Sequence, residues 1–330
     1  MKNNYFSLLL LAVLLVCSGS VQAQKKKVAI YHDSSVTNYV PATTDAKIIS
    51  ALADYDVTYV DKPGTTPDDV AVFFANYDLI LIHSSVGGTE ATLLKMRELV
   101  GVKPILSLKV FCYANKRWSW SSAAAQNAGA GVISSEVPTD LQNHNIFKNV
   151  TFSGTTLTFY SEATTTREGI QFAVDLDGTN LAEHASKSHT IATATNLDGS
   201  YTGTHIHEVN LNNAAKYIML GLSLEGTPSC YTLFNDNAIN IIKNSVAYLL
   251  DPNAAYDYTT KQPTGIKDQK VSTIKRIGDV VYNPELKEVT IYDITGVAVM
   301  KSTDSQIAVN QLPAGLYIAK GDKETIKFVK

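Results

Sequence analysis

Residues 27–61 read KVAIYHDSSVTNYVPATTDAKIISALADYDVTYVD. The opening KVAIYHD is a continuous apolar run, the mark of a strand buried on both faces. TTDAKIISALADY then places Ala46, Ile49, Leu52 and Ala53 on one side of a helix. VTYVD follows as a second strand. The alternation continues downstream. TPDDVAVFFANY carries a helix start, with Thr66 as cap, Pro67 at the first turn, and Asp68 and Asp69 at the positive end of the dipole. YDLILIHS is a third strand. TEATLLKMRELVG is a helix closed by Gly101, with Pro104 beyond it, and PILSLKVF is a fourth strand.

Short apolar strands alternating with helices form a parallel sheet covered on both faces. The expectation is an α/β domain over residues 25–251, doubly wound and flavodoxin-like. After Trp120 the texture changes. TLTFYSE, GIQFAVDLDG, HTIATATN and THIHEV read as extended segments between turns, a β-rich insertion. YIMLGLSLEG is one more buried strand. NDNAINIIKNSVAYLLD is a closing helix with Ile239, Ile242, Val246 and Leu249 facing inward. Residues 252–270 look like a linker. Short strands punctuated by Gly296, Gly315 and Gly321 then predict a small all-β sandwich over 271–330.

The first 23 residues have the build of a secretory signal peptide: Lys2, an apolar run from Leu8 to Cys17 too short to span a bilayer, and small residues Val21 and Ala23 before Gln24. No other segment is long and apolar enough for a transmembrane anchor. The 330 residues are 45% hydrophobic and 18% charged, and the formal net charge is −3. Nothing in that balance favours nucleic acid as a partner. Cys112 and Cys230 are the cysteines beyond the leader. Two cysteines exclude a cysteine-rich zinc module and a disulfide scaffold, and leave open whether they pair.

Two family resemblances follow. VTIYDITGVAVMKS and IAVNQLPAGLYIAKGDKETIKFVK, within residues 271–330, resemble the C-terminal sorting domain of cargo of the type IX secretion system. The features are Tyr292-Asp293 before Gly296, the run Leu312-Pro313-Ala314-Gly315-Leu316-Tyr317, and the closing Lys327-Phe328-Val329-Lys330. The first strand pair, DVVYNPELKEV, is abbreviated relative to that family. The resemblance implies passage through the periplasm and outer membrane, with the secretion machinery as partner and a secreted or cell-surface location. Residues 27–250, through their strand–helix–strand start, LQNHNIFKNV and YIMLGLSLEG followed by NIIKNSVAYLL, resemble the class I glutamine amidotransferase-like superfamily, and within it the ThuA-like branch. That fold hosts many activities and supplies none by itself.

The amidotransferase resemblance implies a cysteine nucleophile on a sharp strand-to-helix turn. Cys112 follows a strand, but Phe111 and Tyr113 stand where such an elbow needs small residues. The accompanying histidine–glutamate pattern is altered as well, because His207 directly precedes Glu208. No intact catalytic motif remains, and Cys112 is expected to be a structural thiol. His205 and His207 share one strand face by the two-residue alternation, and with His83 or Asp33 they could hold a transition metal. The same alternation is what any half-exposed strand shows. Neither a P-loop nor a GxGxxG is present, so no cofactor is called for.

Open α/β sheets bind ligands beyond the carboxyl ends of their strands. His32 and Asp33 follow the first strand, His83 the third, and Arg117, Trp118 and Trp120 the fourth. With His207 and Glu208 from the insertion, they are expected to line one concave surface, with the WSW tripeptide stacking on sugar rings. A carbohydrate-type ligand is the leading expectation. A ThuA-like hydrolase acting on a sugar-related substrate, and a structural or adhesive surface protein, remain as alternatives.

Overall fold

The computed structural model describes residues 24–37, 39–163, 168–182, 184–225, 229–259, 275–277, 279–283, 288–321 and 325–330. The expected signal peptide lies outside them. The chain divides into two compact units, residues 1–262 and 263–330.

The first unit carries strands β1 (Lys27–His32), β2 (Asp56–Asp61), β3 (Leu79–Ile82), β4 (Ile105–Ser107), β5 (Gln126–Asn127), β6 (Ser134–Glu136), β7 (Thr156–Thr158), β8 (Gln171–Phe172), β9 (Ser188–Thr195), β10 (Thr202–Val209) and β11 (Tyr217–Leu220). Its helices are α1 (Pro41–Thr44), α2 (Ala46–Ala51), α3 (Val70–Phe73), α4 (Ala91–Lys95), α5 (Thr179–Ala182) and α6 (Asp236–Leu250). One nine-stranded sheet runs β2-β1-β3-β4-β11-β10-β9-β6-β7. Its first five strands pair in parallel, and β10 joins β11 antiparallel. The insertion therefore extends the sheet from one edge with β10, β9, β6 and β7, while β5 and β8 pair in a separate two-stranded sheet.

Each face of the sheet buries its own core. Val28, Ile30, Leu81, Leu106 and Ile218 pack against α2 and α6. Ala29, Tyr31, Ile80, Ile82 and Met219 pack against α3, α4 and the loop after β4. Alternate residues of one apolar strand thus serve opposite layers, and the α/β expectation holds. Within α2 the buried positions are Ile48 and Ala51, followed by Leu52, whereas Ala46 and Ala53 are exposed. Leu52 is buried as expected and Ile49 packs half-buried on the same core, and the chain breaks at Asp45, which ends α1 and starts α2. The next helix starts one turn later than expected: Asp69, not Thr66, caps α3 by accepting from the amides of Ala71 and Val72. Gly101 closes its helix as expected, at φ +82°, a conformation that favours glycine. The inner face of α6 is Ala238, Ile241, Ile242, Val246 and Leu249, with Ile239 only half-buried.

The expected linker from 252 begins too early. Tyr256 donates to the carbonyl of Asp140 at 2.7 Å, and Tyr258 donates to Glu208, so residues up to 259 belong to the first unit. Residues 260–274 lie outside the described residues. In the second unit, strands β12 (Lys275–Ile277), β13 (Val280–Tyr282) and β16 (Gln306–Ala308) form one sheet, and β14 (Val289–Asp293), β15 (Ala298–Ser302), β17 (Leu316–Lys320) and β18 (Thr325–Val329) form another. Val281 and Ile307 of the first sheet share one core with Ile291, Ala319 and Phe328 of the second, as an all-β sandwich requires. Among the described residues, no helix is long and apolar enough to cross a membrane.

Candidate functional site

The strand order β2-β1-β3-β4-β11 reverses direction between β1 and β3. In open α/β sheets the crevice that takes ligands lies at such a point, beyond the carboxyl ends of the strands. His32 and Asp33 follow β1, and His83, Ser84 and Ser85 follow β3. One side chain ties the two loops together: Ser85 Oγ accepts the amide proton of Asp33 at 3.0 Å and lies 2.8 Å from His83 Nδ1. These expected site residues are therefore brought together.

His83 is fully buried. Its Nε2 lies 3.2 Å from Asp45 Oδ1, and Asp45 Oδ2 accepts from Tyr39 and Tyr59 hydroxyls, each at 2.8 Å. Tyr39 stacks on the imidazole at 4.9 Å, and Tyr231 meets it edge-on at 5.3 Å. Asp45 occupies the N-cap position of α2 yet makes no capping bond. An aspartate there normally accepts from the helix amides, and its loss costs the helix about 1 kcal/mol. Here the carboxylate has turned away from the helix to hold an imidazole.

The mouth of the crevice is polar. Asp33, 7% exposed, accepts from Lys62 at 2.6 Å and from Ser35 at 2.6 Å. Burial would raise its carboxyl, but the bonds from Lys62 and Ser35 outweigh that and hold it below the ordinary carboxylate value. His32 sits edge-on to Tyr39 and Tyr59, and its Nδ1 is buried without a hydrogen-bond partner. Burial lowers its proton affinity, more than the nearby Asp61 carboxylate restores it. Lys109, after β4, donates to the carbonyl of Ser84 at 3.0 Å and so fixes the β3 loop from the far side.

The remaining expected residues lie elsewhere. Trp118 and Trp120 are 0% and 2% exposed. Trp118 donates its indole proton to the carbonyl of Leu93 at 2.9 Å, and the two indole rings meet each other edge-on at 4.9 Å and pack against Tyr113 and Tyr217. Tight loop bonds from Trp118 to Cys112 and from Trp120 to Tyr113, both 2.9 Å, turn both side chains inward, with Ser119 between them at φ +52°. They are core residues and form no stacking platform. Arg117 donates to the carbonyl of Phe111 and lies against Gly88, where an added Cβ would stand 2.7 Å from its Nη1.

His207 and Glu208 belong to β10, three places across the sheet from β3. Being consecutive on a strand, they point to opposite faces. His207 bonds Tyr113 at 2.9 Å and Ser188 at 2.7 Å, and burial pushes its pKa down to about 3. Neither residue closes the crevice. The expected metal pair also separates. The ladder between β9 and β10 is irregular between Thr204 and Ile206 and again between Ile206 and His207. This places His205 against Ser135 and Phe159, on the α6 face, while His207 meets Trp120 on the other. A bulge suspends the two-residue alternation. No cluster of three or more metal-ligating side chains occurs among the described residues.

Cys112 is fully buried and donates to the carbonyl of Lys109 at 3.3 Å; burial pushes its thiol up to about 12. A nucleophilic thiol needs the opposite shift. Cys112 and Cys230 do not form a disulfide. Asp45, Tyr39 and Tyr59 were not singled out from sequence. Asp45 in TTDAK reads as an ordinary helix start, and only its missing capping bond distinguishes it.

No protein-family model matches the chain, and no curated protein matches it. Among solved structures it is similar to a protein described as ThuA-like from Bacteroides uniformis, at 8% identity over 69% of this chain and 92% of that one, with a TM-score of 0.46. A second, described in the same words, from Parabacteroides merdae, shows 12% identity over 68% and 90% of the two chains, with a TM-score of 0.42. At that distance the fold rests on the strand order itself.

Proposed function

We propose that the crevice between the β1 and β3 loops binds a small hydroxyl-rich ligand of the carbohydrate type. The observation that carries this reading is hydrogen-bonding capacity gathered at the point where the strand order reverses: the partnerless His32 Nδ1 beside the Asp33–Lys62 pair. Sugar hydroxyls both donate and accept, so a carboxylate, an ammonium and a neutral imidazole side by side suit them. With both tryptophans in the core, the ligand is held by polar contacts and not by stacking. Calorimetric titration of the full chain with a panel of mono- and oligosaccharides tests the reading. Saturable binding weakened about tenfold or more by Asp33→Asn is expected. No saturable binding, or an Asp33→Asn variant that binds as well as the parent, would refute it.

The protein is also proposed to be exported. The apolar run Leu8 to Cys17 and the C-terminal sandwich that ends in Lys327-Phe328-Val329-Lys330 support this. Export predicts extracellular material beginning at Gln24; material found only inside the cell and beginning at Met1 would remove it.

A further inference from the structure

Ser85, His83 and Asp45 form an unbroken chain of hydrogen bonds at this crevice, and its proton positions follow from the partners. A backbone N–H can only donate, so the Ser85 amide, 3.1 Å from His83 Nδ1, makes that nitrogen an acceptor. The ring proton is then on Nε2 and is donated to Asp45 Oδ1, at 3.2 Å. Ser85 Oγ lies 2.8 Å from the unprotonated His83 Nδ1 and so donates to it, sharing the nitrogen lone pair with the Ser85 amide, while Oγ accepts from the Asp33 amide at 3.0 Å. Nucleophile, base and orienting carboxylate thus stand in series within hydrogen-bond reach. The imidazole is clamped between Tyr39 and Tyr231, and Asp45 is pinned by two tyrosines. Ser85 itself, 8% exposed, is the member nearest the mouth.

We infer that Ser85 is the nucleophile of an acyl-ester hydrolase whose substrates are O-acylated forms of the hydroxylated ligand; the sugar part of this assignment rests on the binding reading above. Ser85 Oγ attacks the ester carbonyl carbon while its proton passes to His83 Nδ1. The carbonyl–alkoxy bond breaks, and the proton moves from His83 to the departing alkoxide, which leaves as the free hydroxyl of the ligand. Water then attacks the acylated serine, giving its proton to Nδ1. The carboxylic acid departs, and the proton returns to Ser85 Oγ. The net reaction is ester plus water to acid plus alcohol. Asp45 keeps the ring in the Nε2–H form and faces the imidazolium when it forms. The two ring nitrogens are exchanged relative to the usual serine triad: Nδ1 faces the hydroxyl, together with the Ser85 amide, and Nε2 faces the carboxylate.

The test is labelling of the full chain with a fluorophosphonate probe, followed by peptide mapping, with hydrolysis of p-nitrophenyl acetate measured alongside. One adduct on Ser85 is expected, with fluoride displaced. Ser85→Ala should abolish it and lower ester hydrolysis by roughly 10³-fold or more, measured well below a melting temperature that falls because the Asp33 amide loses its acceptor. An unlabelled Ser85 in the parent protein, or a Ser85→Ala variant that hydrolyses at the parental rate, overturns the inference. The parent labelling does not depend on any variant folding. Saccharide binding without an adduct overturns the hydrolytic step and leaves the binding reading intact. An adduct without saccharide binding sustains the step and removes the sugar as its substrate.

Discussion

Asp45 and Glu208 are both fully buried, and each accepts from two tyrosine hydroxyls and meets one imidazole Nε2. For Asp45 the partners are Tyr39, Tyr59 and His83; for Glu208 they are Tyr248, Tyr258 and His144. In both, the imidazole Nδ1 accepts an amide two residues on, from Ser85 and from Ile146. The difference lies in what stands behind the imidazole. Behind His83 is a serine hydroxyl at the mouth of a crevice. Behind His144 is only backbone. Glu208 ties together β10, the turn before Asn145, helix α6 and the strap ending at Tyr258, with Lys216 over the Tyr248 ring at 4.8 Å. The same knot of groups serves as a clamp in one place and as the back wall of a site in the other. A buried charge with its full set of donors does not by itself mark function; the group that remains reachable does.

The largest effect expected of this comparison is on stability. Glu208→Ala removes the buried acceptor shared by Tyr248, Tyr258 and His144 and should cost about 3–5 kcal/mol in urea unfolding. Asp45→Asn should also destabilise, but it should in addition weaken Ser85 labelling measured well below the melting temperature, because the wrong ring tautomer is then allowed. If Glu208→Ala reduced labelling of the still-folded fraction as strongly, the distinction between clamp and site would be gone. Tyr258→Phe removes one bond to a charged acceptor from the clamp and should cost about 1.5–3 kcal/mol with labelling unaltered. A variant as stable as the parent would mean that the strap is held by something other than Glu208.

The comparison also carries a slope with pH. Burial would raise the Glu208 carboxyl, but the bonds from His144, Tyr258 and Tyr248 outweigh it, so the folded value lies below the ordinary 4.5. Its contribution is present above pH 4.5 and is lost as the pH falls through the lowered folded value. His205 and His207 act at higher pH. Burial pushes both down from 6.5 to about 3, so between those values the unfolded chain binds protons that the native chain does not. Stability should therefore rise with pH across that window and be fully present above about pH 6.5. Urea midpoints measured from pH 4 to 7 check this, and His207→Gln should flatten the slope. A flat profile in the parent would place both imidazoles in contact with solvent.

Much of the fold was legible because period and punctuation are local. Continuous apolar runs such as Leu79–Ile82 must be buried on both faces, and the capping aspartates and Gly101 mark helix ends within a residue or a turn. The crevice was half legible for the same reason. Once strands and helices alternate, the residues after β1 and β3 fall at one end of the sheet, so His32, Asp33 and His83 could be named from sequence as loop neighbours; the strand order then sets their two strands side by side. What failed needed information that is not local. The WSW loop reads alike whether its rings face solvent or core, and only the bonds from Trp118 and Trp120 back to Cys112 and Tyr113 decide it. His205 and His207 share a face only on a regular strand, and the irregular pairing with β9 moves them apart. Asp45 has the sequence of a cap, and only tertiary packing turns its carboxylate toward His83, 38 residues away. The sequence by itself determined where the chain extends, coils and turns, because those preferences are settled among near neighbours. The tertiary structure decided which polar groups face one another, because burying a charge requires partners that only distant segments bring.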